Sequence, residues 1–283
     1  MSSILHAGSK TLDISQPVVM GILNATPDSF YNKGKSSDVS SLLQTAEKML
    51  KDGASILDIG GASTKPGQQW VTADEELKRV MPVIEAVVKQ FPGTWLSVDT
   101  YNAAVARAAV EAGVSMVNDV TSGIYDKEMV ATVAALGVPY IIMHMQGTPA
   151  TMQQNPTYAD VVRAVDDFFA ARLARLEQLG VAREQVALDP GIGFGKTLAH
   201  NLALLAALPR FQRHGRPLVL GVSRKSFLGQ LAEAPTPAER LPGSLACAAL
   251  AVRDGVQVLR VHDVRETVQA VRVAEAITNA RAD

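Results

Sequence analysis

The stretch VALDPGIGFGKTLAHNLALL, residues 186 to 205, has the outline of a phosphate-binding loop: a short apolar strand, a glycine cluster, then Lys196 and Thr197 opening a helical pattern. Such a loop needs a glycine five residues before the Gly-Lys pair, so that successive backbone N–H groups can curl around the phosphates. That position is Pro190, which has no N–H to give, and Gly191, Gly193 and Gly195 do not follow the dinucleotide G-x-G-x-x-G spacing either. The chemistry left is that of a carboxylate, Asp189, at the end of an apolar strand and ahead of a bend tight enough to need several glycines.

Asp189 has companions. Asn24, Asp58, Asp99, Asn118 with Asp119, His144, Ser223 to Ser226, and Arg260 with His262 each follow a short apolar run. A single Asp or Asn after a strand often only caps the next helix, but eight runs that all end in polar groups point to a shared site. Lys65, Lys225, Arg260 and His262 would form a basic rim for a phosphorylated substrate, with Arg224 and Lys225 at the mouth of the seventh run. Asp99, Asn118 and Asp189 would form a polar floor, and carboxylate plus amide suits a ring edge rich in N–H donors, such as a pterin or a purine.

The elements that must position these groups are legible as a repeat. In KDGASILDIG, EAGVSMVNDV, ALGVPYIIMH, QLGVAREQVALD and RDGVQVLRVH an amphipathic stretch stops at a glycine and an apolar run follows. Glycine closes a helix in left-handed geometry, so each marks a helix ending and a strand beginning. The apolar runs are continuous, as for strands of a parallel sheet buried on both faces. Eight are expected, near residues 18 to 23, 55 to 59, 94 to 98, 115 to 118, 139 to 143, 186 to 189, 217 to 222 and 257 to 261. The fold class read from them is α/β, a (β/α)8 TIM barrel, with ILHAGSKTLDI as a short N-terminal β-hairpin capping the barrel bottom. No Ser/Gly-rich linker divides the chain, so residues 1–283 are read as one domain. The loops NATPDSFYNKGKSSDVSS and GGASTKPGQQW, after the first two strands, are expected to close over substrate.

Composition narrows the partners. A net charge of -1 gives no reason to expect nucleic acid, so the substrate is read as small. The single cysteine, Cys247, excludes an intrachain disulfide and a cysteine metal cluster. There is no basic segment followed by an apolar core near the start and no membrane-length apolar run, which together read as a soluble cytoplasmic protein. His6, His200 and His214 are read as structural or surface residues.

Eight ordered motifs, VMGILNATPDSF, LDIGGASTKPG, SVDTY, VNDVTSG, IIMHMQGTP, LDPGIGFGKTLAHNLALL, GVSRKSFLG and LRVHDV, make the chain similar to the bacterial dihydropteroate synthases over nearly its whole length. That resemblance implies a homodimeric TIM barrel joining 6-hydroxymethyl-7,8-dihydropterin diphosphate to 4-aminobenzoate with loss of diphosphate. It implies pterin binding by Asp189, Asn118 and Lys225 with Asp99 beneath the ring, and Mg²⁺ held with Asn24. Diphosphate would meet Asn24, Thr64, Lys65, Arg260 and His262, and 4-aminobenzoate would meet Phe30, Pro66, Phe194 and Ser226. The catalytic set so implied is Asp99, Lys225, Arg260 and His262, whereas His144 receives no role.

The chain departs from the family pattern at Asn32, where Asp is usual, at Ala62, where Glu is common, and at Lys65, where Arg is common. Two rival readings are a methyltetrahydrofolate-type pterin-binding methyltransferase, which needs no diphosphate site, and a non-catalytic pterin-binding homologue. Lysine keeps the charge of arginine but loses its two-pronged grip on phosphate. Lys65→Ala is therefore expected to raise the apparent KM for the pterin diphosphate in steady-state kinetics, and unchanged kinetics would refute a phosphate contact.

Overall fold

The computed structural model describes residues 4–26, 39–63 and 67–280. Eight parallel strands form one sheet: β3 (Val18–Asn24), β4 (Ile56–Gly60), β5 (Trp95–Asp99), β6 (Met116–Asp119), β7 (Tyr140–Met143), β8 (Val186–Asp189), β9 (Val219–Leu220) and β10 (Val258–Val261), in the order β8-β7-β6-β5-β4-β3-β10-β9. A parallel bridge between Leu188 and Leu218 joins the two ends, so the sheet closes into the expected barrel. The five glycines read as helix stops, Gly53, Gly113, Gly137, Gly180 and Gly255, all have positive φ.

The strand expected over 217 to 222 is the shortest. Pro217 has no N–H for the ladder, although its carbonyl accepts from Leu188 N at 2.9 Å. The Gln257 side chain takes over one ladder bond, accepting from Leu218 N at 2.7 Å.

Strand side chains alternate between the two faces, so every second residue enters the barrel. Met20, Ile56, Trp95, Met116, Ile141, Ala187, Val219 and Val258, one from each strand, form a single buried apolar cluster. The antiparallel hairpin β1 (Ile4–Ala7) and β2 (Lys10–Asp13), turning at Gly8, adds Leu5 and Leu12 to it, and Ile14 follows. Trp95 Nε1 donates to Thr11 O at 3.1 Å, tying the hairpin to the strand above it. The hairpin thus plugs the bottom. The outward strand faces pack on the helices in a second cluster that includes Leu57, Val98, Val117, Ile142, Phe169 and Leu220.

Among the helices, those over Ala73–Gln90, Val161–Gln178 and Leu198–Ala206 start at side-chain caps from Thr72, Asp160 and Thr197. Asp166 is fully buried and is shared by Arg210, Arg213 and His214, which makes His214 a structural residue. Among the described residues no helix is long and apolar enough to cross a membrane. The two long loops expected over the site fall partly outside the described residues, as do Phe30, Asn32, Thr64, Lys65 and Pro66.

Ile14 is 2% exposed within the plug. Ile14→Ala should lower stability by about 2 to 5 kcal/mol, read from the urea unfolding midpoint, and leave ligand binding at the opposite end unchanged.

Candidate active site

Two residues further along each strand, the same alternation puts Ile22, Asp58, Ser97, Asn118, Met143, Asp189, Gly221 and Arg260 on the inner face. The step from the layer below changes the chemistry, because this layer lies toward the C-terminal mouth, where barrel sites form. Its centre is Arg260. Its Nε donates to Asp58 Oδ2 at 2.6 Å and its Nη2 to Asp99 Oδ2 at 2.5 Å, while Asn118 Nδ2 donates to Asp58 Oδ2 at 3.2 Å. Arg260 was expected as a free rim charge; it lies instead between two carboxylates because β10 turns its side chain inward. Its Nη1 makes no hydrogen bond among the described residues.

These contacts set the protonation of the floor. Burial raises the Asp99 carboxyl, Arg260 opposes that, and the neighbouring Asp58 charge adds to it. Burial also raises Asp189, against Lys225 and the Gly191 N–H, which donates to Asp189 Oδ1 at 2.7 Å. Lys225 is lowered to about 8, chiefly by burial, with Asp189 pulling the other way. Its ammonium donates to Ile192 O and lies 4.7 Å from the centre of the Phe194 ring, a cation–π contact. A Cβ on Gly193 would stand 3.3 Å from Lys225 Cδ, so the bare backbone lets the lysine lie close over the loop.

The remaining expected residues divide. Asn24 ends β3 half-buried, in register with Gly60. His262 follows β10, its backbone N–H bonded to Ser223 Oγ at 3.2 Å and its Nδ1 3.0 Å from the same oxygen. Ser226 opens the helix Ser226–Leu231 and is exposed. Arg224, expected beside Lys225 at the mouth, is engaged by both carboxylate oxygens of Asp263. Asp119 faces outward and satisfies four donors, Thr121 N and Oγ1 and Tyr140 Oη at 2.7 Å and Gly123 N at 2.6 Å. It holds a turn, whereas its neighbour Asn118 faces the site.

Asp58 is the main residue that a reading of run endings leaves without a role. The signal for it is a carboxylate inside the apolar run SILDIGG, in the same alternating phase as Ile56. The mouth also has an apolar side, with Tyr101, Val120 and Met143 buried together and Met145 and Phe194 packed against them. A flat ring fits such a site, with apolar faces above and below and polar groups at its edge.

Asp119→Ala should cost about 3 kcal/mol or more in urea unfolding, because it strands several buried donors at about 1 to 3 kcal/mol each. Asn118→Ala should cost far less stability and should instead weaken ligand binding, read by calorimetry.

A family model described as pterin binding enzyme matches residues 20–262. The dihydropteroate synthase of Escherichia coli (strain K12) is 47% identical over 277 residues, which cover 98% of this chain and 97% of that one. A Yersinia pestis dihydropteroate synthase solved with a sulfonamide drug has a TM-score of 0.92 at 46% identity, covering 98% of this chain and 99% of its own. A Xanthomonas albilineans dihydropteroate synthase in complex with 7,8-dihydropteroate has a TM-score of 0.88 at 40% identity, covering 97% and 98%. With such matches over nearly its full length, the chain belongs to the dihydropteroate synthases of the pterin binding enzyme family.

Proposed function

We propose that the chain condenses 6-hydroxymethyl-7,8-dihydropterin diphosphate with 4-aminobenzoate, releasing diphosphate and forming 7,8-dihydropteroate. The observation that carries this reading is the inward layer itself: Asp58 and Asp99 paired with Arg260, Asn118 bonded to Asp58, and Lys225 lying on Phe194 at the edge. Such a floor meets the N–H-rich edge of a pterin, and an aromatic wall suits an arylamine.

In this reading Asp189 accepts from the pterin amino and ring N–H groups, Asn118 and Lys225 complete that edge, and Asp99 lies beneath the ring. Breaking the C–O bond to diphosphate develops positive charge on the pterinyl methylene. Arg260 favours the anionic form of Asp99, and an anion there stabilises that developing charge more than it stabilises the neutral ground state. Asn24, Arg260 and His262 face the departing diphosphate, and Thr64 and Lys65 are assigned to it by the family resemblance. Phe194 and Ser226, with Phe30 and Pro66, hold 4-aminobenzoate so that its amine attacks the exposed carbon; the amine proton leaves as the C–N bond forms.

Magnesium fits the same reading. The Asn24 side chain makes no hydrogen bond among the described residues, and no group of three His, Cys, Asp or Glu among them could hold an ion by itself. One free amide oxygen suits a hard cation that keeps its waters and takes further ligands from phosphate. When bound, Mg²⁺ supplies charge neutralisation for the leaving diphosphate. A homodimer completes the proposal: the helices Leu241–Arg253 and Val264–Asn279 pack together and expose Leu250, Val273 and Ile277, apolar side chains that a second copy would cover.

Diphosphate release and dihydropteroate formation, followed by chromatography with and without 4-aminobenzoate, test the reaction. Product that requires both substrates and Mg²⁺ is the expected result; pterin binding without turnover would overturn it in favour of a non-catalytic homologue. Asp189→Ala should abolish pterin binding in calorimetry, since it leaves several donors unpaired at about 1 to 3 kcal/mol each.

A further inference from the structure

We propose that Lys196 is a positioning residue: pinned to His144, it fixes the peptide that carries Phe194 and so sets how well the second substrate binds. The inference rests on the reading above for what Phe194 holds. It gives a place to the two conspicuous residues that the reaction leaves unused, the lysine of the Gly-Lys-Thr sequence and the histidine after β7.

Lys196 is 2% exposed, and its ammonium has three acceptors for three N–H bonds: Phe194 O at 3.0 Å, His144 O at 3.1 Å and His144 Nδ1 at 3.1 Å. While the amine is protonated its three N–H bonds meet these three acceptors, so Nδ1 presents its lone pair and the imidazole proton sits on Nε2. Burial lowers His144 to about 3 and Lys196 to about 7, so the imidazole stays neutral and the pair carries at most one positive charge. The histidine ring is held in turn by Phe168 and Tyr158, with ring centres 5.1 and 6.0 Å away.

The loop after β8 is pressed backbone to backbone against the loop after β7. A Cβ on Gly191 would stand 2.0 Å from His144 O, and one on Gly195 would stand 2.4 Å from Gln146 O. Other bonds hold the loop in place. Gln153 Nε2 donates to Gly193 O at 2.6 Å, Gly193 N donates to Asn201 Oδ1 at 2.7 Å, and Tyr158 Oη donates to Gly195 O at 2.8 Å. Thr197 caps the following helix through His200 N, independently of Lys196. Removing the lysine amine thus leaves the loop anchored, with Phe194 N still donating to Gly191 O at 3.1 Å, and frees the Phe194 carbonyl, the end of the residue that Lys196 holds.

The test is Lys196→Met, which keeps the apolar stem and loses all three donors. Its KM for 4-aminobenzoate should rise about tenfold, while the pterin Kd from calorimetry stays within about threefold of wild type, a split that a general loss of structure would not produce. His144→Phe keeps the ring packing but deletes the Nδ1 acceptor, and should raise the same KM by a smaller factor, about threefold. Unchanged 4-aminobenzoate KM in folded Lys196→Met, or equal losses for both substrates, would overturn the proposal; should that variant fail to fold, His144→Phe decides in the same way. The ¹⁵N spectrum of His144 should report an unprotonated Nδ1 in wild type, and a protonated Nδ1 would overturn the pin. Because that spectrum needs no turnover, an inactive wild-type protein would refute the assigned reaction while the pin itself is still tested.

Discussion

Arg260 lies between Asp58 and Asp99 at the centre of the barrel mouth, and the groups around it are arranged by the cost of burying three charges together. A guanidinium taken out of water needs carboxylates in good geometry, and two carboxylates this close would repel each other without it. Asn118 donates to the same Asp58 oxygen, Oδ2, while the buried Oδ1 has no hydrogen-bond partner among the described residues. Burial raises Asp99 while Arg260 favours its anionic form, so an anion offered to a positive centre above it is paired from below. Because every member sits on a strand of the sheet, hydrogen bonds along the barrel hold the cluster in register.

The architecture was legible in the chain because each helix-to-strand junction carries its own local chemistry. Gly53 or Gly137 ends a helix for reasons contained within a few residues, and a parallel strand must be apolar on both faces. The site was legible at the level of residue type and only partly at the level of direction. Asn118 and Asp119 are neighbours of similar polarity, yet one faces the floor and the other holds a turn; that difference depends on strand phase. Phase also explains Arg260, which shares an inward face with Val258 and so becomes a floor group instead of a rim group. Arg224 could not be read in this way. Its partner, Asp263, follows a different strand, and no local pattern announces that the two will meet.

Lys196 illustrates how one short sequence pattern can be satisfied by unrelated physics. A glycine cluster followed by lysine and threonine here yields a close crossing of two loops, an internal ammonium pin and a helix cap, each using the residue for its size, its donors or its hydroxyl. The glycines serve backbone-to-backbone approach in this loop, as they would around a phosphate; the ligand that approaches is another stretch of the same chain.

The hairpin beneath the barrel has a consequence for traffic. With Leu5, Leu12 and Ile14 seated against one side chain from every strand, the interior is a blind well. Reactants and products must then enter and leave on the side where the strands end. The plug that serves stability thus lies behind the site, and the one open direction of approach is set by the way the strands run.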